Sequence, residues 1–195
     1  MKKILPIAII GILLLLVFWG VGRYNSIVQL DVNTEEQWAQ VETAYQRRAD
    51  LIPNLVETVK GYADFEQETL TAVIEARAKA TSINVDANNL DPQAIQQFQA
   101  AQEGLSGALS RLLVTVERYP ELKANQSFLQ LQSQLEGTEN RIAVERRRFN
   151  ETVGDFNRAI RVFPGSLVAS LTGFEQKGFF EAAEGSDVAP EVSFD

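Results

Sequence analysis

At 195 residues and a formal net charge of −8, the chain has room for one ordinary domain and a small accessory segment. Its acidity excludes nucleic acid as a partner, since phosphate contacts need clustered Lys and Arg, and it argues against broad adsorption to anionic headgroups. With no cysteine and no histidine, disulfides, thiolate nucleophiles, Ser-His-Asp triads, Glu-x-x-His di-iron pairs and the ordinary zinc sites all drop out.

The first element is apolar. Met1, Lys2 and Lys3 precede "ILPIAIIGILLLLVFWGVG", residues 4–22, which carries no charge and ends at Arg23. Some 20 apolar residues span the hydrocarbon core of a bilayer. Trp19 and Tyr24 stand where an aromatic belt meets the interface. A cleaved signal peptide also starts with lysines, and Gly20 and Gly22 have the size and spacing for cleavage. The run is longer than a usual signal core and no A-x-A site follows, which favours an uncleaved single-pass anchor over residues 1–23. Lys2 and Lys3 before the span, against Arg23 after it, place a short N-terminus in the cytoplasm and the main domain on the exported side of the membrane.

A long amphipathic helix is predicted next, over 24–82. Trp38, Val41, Tyr45, Ile52, Leu55, Val59 and Tyr62 recur at helical steps, and Leu70, Val73 and Ile74 continue the stripe after a slip near Glu66. Pro53 interrupts the chemistry without breaking the phase. Either Asp50 caps a new helix with Pro53 in its first turn, or one helix is kinked at Pro53 and leaves the Ala49 carbonyl unbonded. The unbroken phase favours the kink.

"SINVDANNLDP" supplies turn formers, and Asp91-Pro92 is an N-cap followed by proline at the first helical position. The second helix, 92–119, carries Ile95, Phe98, Leu105, Leu109 and Leu112 on one face and ends at Pro120. Gly104 and Gly107 weaken it and read as points of close helix packing. A third helix covers 125–163, with Phe128, Leu131, Leu135, Ile142, Phe149, Val153, Phe156, Ile160 and Phe163 on its apolar face, stopped by Pro164-Gly165. The tail, 164–195, holds Phe174, Phe179, Phe180 and Phe194. A segment this aromatic is expected to fold back, in its first part, on the end of the bundle.

The fold class is therefore all-α: a transmembrane helix feeding an antiparallel up-and-down bundle of three long helices, or four if the first splits at Pro53. At 1.5 Å per residue the three run ~90, ~45 and ~60 Å, so the second cannot return to the membrane. Trp38, Val41 and Tyr45 then need cover from the third helix, the tail or a second copy, and with Phe174, Phe179 and Phe180 they form the candidate interaction surface.

Polar residues fall on the apolar stripes. Arg48 lies between Tyr45 and Ile52, and Arg146 between Ile142 and Phe149. A charge at a core position is costly unless paired. A network of Arg48, Asp50, Glu136, Glu139, Asn140 and Arg146 is expected, in which Arg48 or Arg146 meets Glu139 or Asp50. Fixing helix register is its favoured role; a carboxylate pair for acid–base work or a cation site is the less favoured one. No phosphate-cradling motif occurs, and no cofactor or metal is expected.

Together, "YNSIVQLDVNTEEQWAQVETAYQRRADLIPNLVETVKGYADFE", "ERYPELKANQSFLQLQSQLEGTENRIAVERRRFNETVGDFNRAIRVFPGSLVA", the Gly173-Phe174 pair and "FFEA" at 179–182 resemble the LemA family over nearly the whole chain. Phe149 stands where that family often has tyrosine, and Gln29 and Asp31 replace more usual choices. The resemblance implies a bacterial single-pass membrane protein with a four-helix, up-and-down domain and no established enzyme activity, so no catalytic residue carries over. The expected function is non-enzymatic: helix-face docking to envelope membrane proteins or to itself near the bilayer. A homo-oligomeric scaffold that organises the membrane is the alternative, and a carboxylate-based hydrolase or metal protein a weaker one.

Overall fold

A computed structural model of the chain describes residues 4–61 and 66–181. Tyr62, Phe194 and the closing "SDVAPEVSFD" lie outside the described residues. The rest forms six helices: α1 (Ile4–Lys60), α2 (Gln67–Ser82), α3 (Pro92–Val116), α4 (Pro120–Lys123), α5 (Gln126–Arg161) and α6 (Gly165–Thr172). No strand occurs among the described residues.

Helix α1 is continuous over 57 residues, ~85 Å at helical rise. Its leading stretch is long and apolar enough to cross a membrane, and no protein covers it. Past Arg23 the pattern changes from apolar all round to a single buried stripe, and the helix continues without a turn. Ile27, Trp38, Val41, Ile52, Leu55 and Val59 then face the core.

The helix expected over 24–82 is in fact two. It stops at Lys60, before Gly61, and α2 starts at Gln67. The break coincides with the slip near Glu66, because a slip in a stripe turns the following apolar residues off the buried face. Reversing the chain instead returns Leu70 and Val73 to the core that holds Leu55 and Val59. The fourth bundle helix thus comes from the break after Lys60, not from a split at Pro53, which lies inside α1 and faces solvent.

Helix α1 packs along α5, α2 packs along α3, and α2 also touches α1. Local signals set the starts of α3 and α5: the Asp91 side chain accepts from the Ala94 N–H with Pro92 beside it, and Asn125 accepts from the Phe128 N–H. Beyond Arg23, α1 rises ~55 Å, and the 36 residues of α5 descend ~54 Å, back to the level where the apolar stretch ends. Helix α2 has only 16 residues. Its descent is completed by the loop 83–91, which buries Val85 and Leu90 against Trp38 and Ile95.

Trp38, Val41 and Tyr45 are accordingly covered within one chain. The Trp38 ring lies 5.3 Å from Phe98, 5.3 Å from Phe149 and 5.9 Å from Phe180. Four of the six residues expected at an interaction surface, Trp38, Val41, Tyr45 and Phe180, are instead core. The reason is the length of α5, which reaches further down than the return helix α2 does, and a tail that adds Phe180 as a fifth ring to Trp38, Tyr45, Phe98 and Phe149. Gly104 and Gly107 face solvent, with open space where a Cβ would project, so they do not serve close packing.

Candidate functional site

The polar groups of the bundle gather in three places. The first answers the proline. Pro53 lacks an N–H, so the Ala49 carbonyl four residues back has no partner within α1. Arg77 of α2 reaches across and donates its Nε–H to that oxygen at 2.8 Å. The carbonyl expected to be unbonded is therefore satisfied by a neighbouring helix. Sequence reading missed Arg77 because nothing in its spacing marks a donor to a distant backbone.

The second is a layer built around Arg48, whose side chain is 1% exposed. One terminal nitrogen donates to Glu139 Oε1 at 2.7 Å and to Ser106 Oγ at 2.7 Å. The other donates to Gln102 Oε1 at 2.6 Å and the Gln102 carbonyl at 3.2 Å. Gln102 in turn donates to the Ala80 carbonyl at 3.1 Å, one of the last-turn oxygens of α2 that have no partner inside that helix. The layer therefore ties α1, α3, α5 and α2 at one height. It separates an upper core around Leu55, Leu112 and Phe128 from a lower one around Trp38, Phe98 and Phe149. The Arg48 guanidinium also stands 5.1 Å from the Tyr45 ring centre.

The other expected network members sit elsewhere. Asp50 is exposed and accepts from Gln46. Glu136 is exposed and accepts from Gln132. With Asn140 it lines a groove of about 430 Å³ that reaches Glu139 and Ser106. Arg146 is half-buried but turns to the tail, donating to the Glu181 carbonyl at 2.9 Å with its guanidinium 4.8 Å from the Phe180 ring centre. These three charges leave the network because each sits toward the edge of its stripe, where water or the tail is nearer than Arg48. A carboxylate that sequence reading passed over is buried instead: Glu145, 1% exposed, pairs with Arg141 at 2.7 Å and accepts from Gln37 at 2.7 Å.

The third place is a clamp on the extended tail. Asn157 accepts the Lys177 N–H and donates to the Lys177 carbonyl, each at 2.9 Å. Asn150 does the same to Phe180, at 2.9 and 2.8 Å. Gln99 accepts the Glu181 N–H at 2.9 Å. The two asparagines are seven residues apart, so they repeat on one face of α5. Lys177 reaches Asp31 at 2.6 Å and stands 5.2 Å from the Phe156 ring centre. Gly178 lies where a Cβ would meet the Pro92 Cα at 2.7 Å, and its N–H donates to the Leu90 carbonyl.

Two titrating groups report the lower core. Burial raises the Glu42 carboxyl above its ordinary value of 4.5, offset in part by the Trp38 indole. Burial also raises the Tyr45 phenol above 10.0, with Arg146 and Arg48 pulling it back. Among the described residues no three acidic side chains are placed to hold a metal ion; the Thr69 hydroxyl donates to the Glu66 carboxylate at 3.3 Å, on the exposed surface. Chemically the arrangement pairs most of its buried polar groups, leaving Arg48 Nε and Trp38 Nε1 without a hydrogen-bond partner among the described residues, and fixes which helix faces which.

Comparison with known proteins gives a consistent result. A model described as the LemA family matches residues 37–194. Protein LemA of Metamycoplasma hominis is 26% identical over 167 residues, covering 86% of this chain and 73% of that protein. Magnetosome protein MamQ of Magnetospirillum gryphiswaldense is 26% identical over 194 residues, covering 87% and 70%. Magnetosome protein MamQ 2 of Paramagnetospirillum magneticum is 25% identical over 186 residues, covering 85% and 67%.

Proposed function

The chain belongs to the LemA family, and we propose that it is a non-enzymatic, membrane-anchored post that docks envelope membrane proteins, or further copies of itself, close to the bilayer. The observation that carries the reading is α1: one helix joins the apolar span to the tip of the bundle, so the domain is held upright with no hinge at Arg23. The polar layer, the Arg77 bond and the tail clamp add rigidity. The charge bias of Lys2 and Lys3 against Arg23 supports a short cytoplasmic N-terminus and a bundle on the exported side of the bacterial inner membrane.

Two residues of the expected docking surface are not core. Phe174 is half-buried, and Phe179 is exposed at the edge of a groove of about 480 Å³ shared with Gly154, Arg158, Arg161 and Val162. An aromatic side chain beside two arginines, near the membrane end of α5, is the best-supported docking point. A photo-crosslinker in place of Phe179, activated in intact membranes and followed by mass spectrometry, tests it. Cross-links to an envelope membrane protein or to a second copy support the reading; its absence, with a control crosslinker in the span active, refutes it.

A homo-oligomeric scaffold that organises the membrane is the second reading, and two relatives carry the name magnetosome protein. Light scattering of detergent-extracted protein separates it from simple docking: a discrete monomer rejects the scaffold.

A further inference from the structure

The end of the bundle nearest the candidate span is apolar on the outside. Phe163 is 79% exposed, Leu171 78%, Leu167 54% and Val162 47%, values like those of Leu15 and Phe18 within the span, 72% and 81%. Residues 167 and 171 are four apart, so they share one face of α6, and Phe163 is exposed in the turn just before it. The opposite face is buried: Ala169 packs with Ile27, Phe156 and Ile160. Elsewhere on the bundle large exposed apolar side chains occur one at a time, as Ile74, Val114 and Leu129 do, which is ordinary for a soluble surface.

The position of this patch says what covers it. Helix α6 packs on α1 and α5 at the height of residues 23–30. A Cβ at Gly165 would come within 3.5 Å of Arg23 Nε, Leu30 packs against the cluster that holds Ala169, and the Tyr24 and Phe174 rings are 6.0 Å apart. Arg23 is the first charge after the apolar run. The headgroup layer begins there, and it adds ~5–8 Å to each side of the hydrocarbon core. Charge fits as well. Residues 156–174 contain Arg158 and Arg161 and no acidic residue, in a chain whose net charge is −8; the flanking Asp155 stands 3.8 Å from Arg158 and leaves Arg161 as the unpaired charge of the two among the described residues.

We propose that α6 and the preceding turn form a second, interfacial membrane contact, inserting Phe163, Leu167 and Leu171 into the headgroup–acyl boundary of the same bilayer that α1 crosses, with Arg158 and Arg161 facing lipid phosphates. The inference rests on the membrane-span reading. With two attachments, α1 and α6, the bundle is fixed in tilt as well as in height.

The chain has no cysteine, so single reporters can be placed without background. The full chain carrying Phe163→Cys, Leu167→Cys or Leu171→Cys is spin-labelled and reconstituted in vesicles of phosphatidylcholine and phosphatidylglycerol. Accessibility to oxygen and to a water-soluble nickel chelate is then measured. Leu15→Cys serves as the reference within the span and Val114→Cys as the reference in water. The expected result is an oxygen-to-nickel ratio at positions 163, 167 and 171 several-fold above that at 114 and approaching that at 15. If position 15 reads as lipid but all three read as water, the interfacial contact is overturned and the span stands. If the three are shielded from both reagents, a protein partner covers the face and the inference again fails. Should position 15 also read as water, both it and the span reading are overturned.

Discussion

Arg77→Met deletes the donor to the Ala49 carbonyl while keeping most of the side-chain stem, so it isolates the bond that lets Pro53 sit inside α1. A hydrogen bond from a charged group contributes ~1.5–3 kcal/mol, and an unmade buried acceptor costs about as much. Arg77 is half-buried, which discounts the upper end, and the expected loss is about 1–2 kcal/mol. For a chain of this size each kcal/mol moves Tm by ~2–4 °C. Pro53→Ala supplies an amide N–H that bonds the same carbonyl within the helix, so Arg77 then has nothing to satisfy. In that background Arg77→Met should cost under ~0.5 kcal/mol, a coupling of ~0.5–2 kcal/mol. Urea unfolding of the full chain in detergent, followed by far-ultraviolet circular dichroism for the four variants, measures it. Additive losses would show that Arg77 is not what satisfies Ala49, and the account of the proline would be wrong.

Arg48→Met breaks the layer that joins four helices and leaves Gln102 with an unpaired buried oxygen; a loss of ~3 kcal/mol is expected, coupled to Glu139→Gln, and additive unfolding energies would sink the pairing. Burial raises the Glu42 pKa above 4.5, so its ionised form is penalised in the fold, and stability falls as pH rises from there through the folded value. Glu42→Gln should therefore match the parent Tm at pH 4 and exceed it at pH 7; a difference independent of pH contradicts this. Gly178→Ala pushes a methyl onto the Pro92 backbone and should lift the tail, at ~1–3 kcal/mol, read as faster proteolysis near residues 173–181; unchanged cleavage rejects the clamp as a tight fit. Gly104→Ala with Gly107→Ala meets open space and should raise stability by ~1–2 kcal/mol through helix propensity, which a lowered urea midpoint would refute.

Much of the architecture is determined locally and is legible in order along the chain. An uncharged run long enough for a bilayer, the Asp91-Pro92 start of α3 and the 3.6-residue stripe of α5 each depend on neighbours in sequence. Arg48 stands out because it interrupts a stripe, and Glu139 is one of few carboxylates spaced to meet it. Periodicity reports which side chains turn inward, but not what they turn toward. The break after Lys60 follows from that limit: the slip near Glu66 marks a change of face, and only the returning α2 shows that the chain reverses there. Trp38, Val41 and Tyr45 could have faced a second copy; α5 and Phe180 cover them because the descending helix matches the part of α1 beyond Arg23 in length and the tail folds back. Arg77 on Ala49, Gln102 on Ala80, and the asparagines on Lys177 and Phe180 were illegible, since a side-chain amide or guanidinium that satisfies distant backbone leaves no pattern in its own segment. Backbone groups stripped of water must find partners wherever packing brings them, and that choice belongs to the tertiary structure.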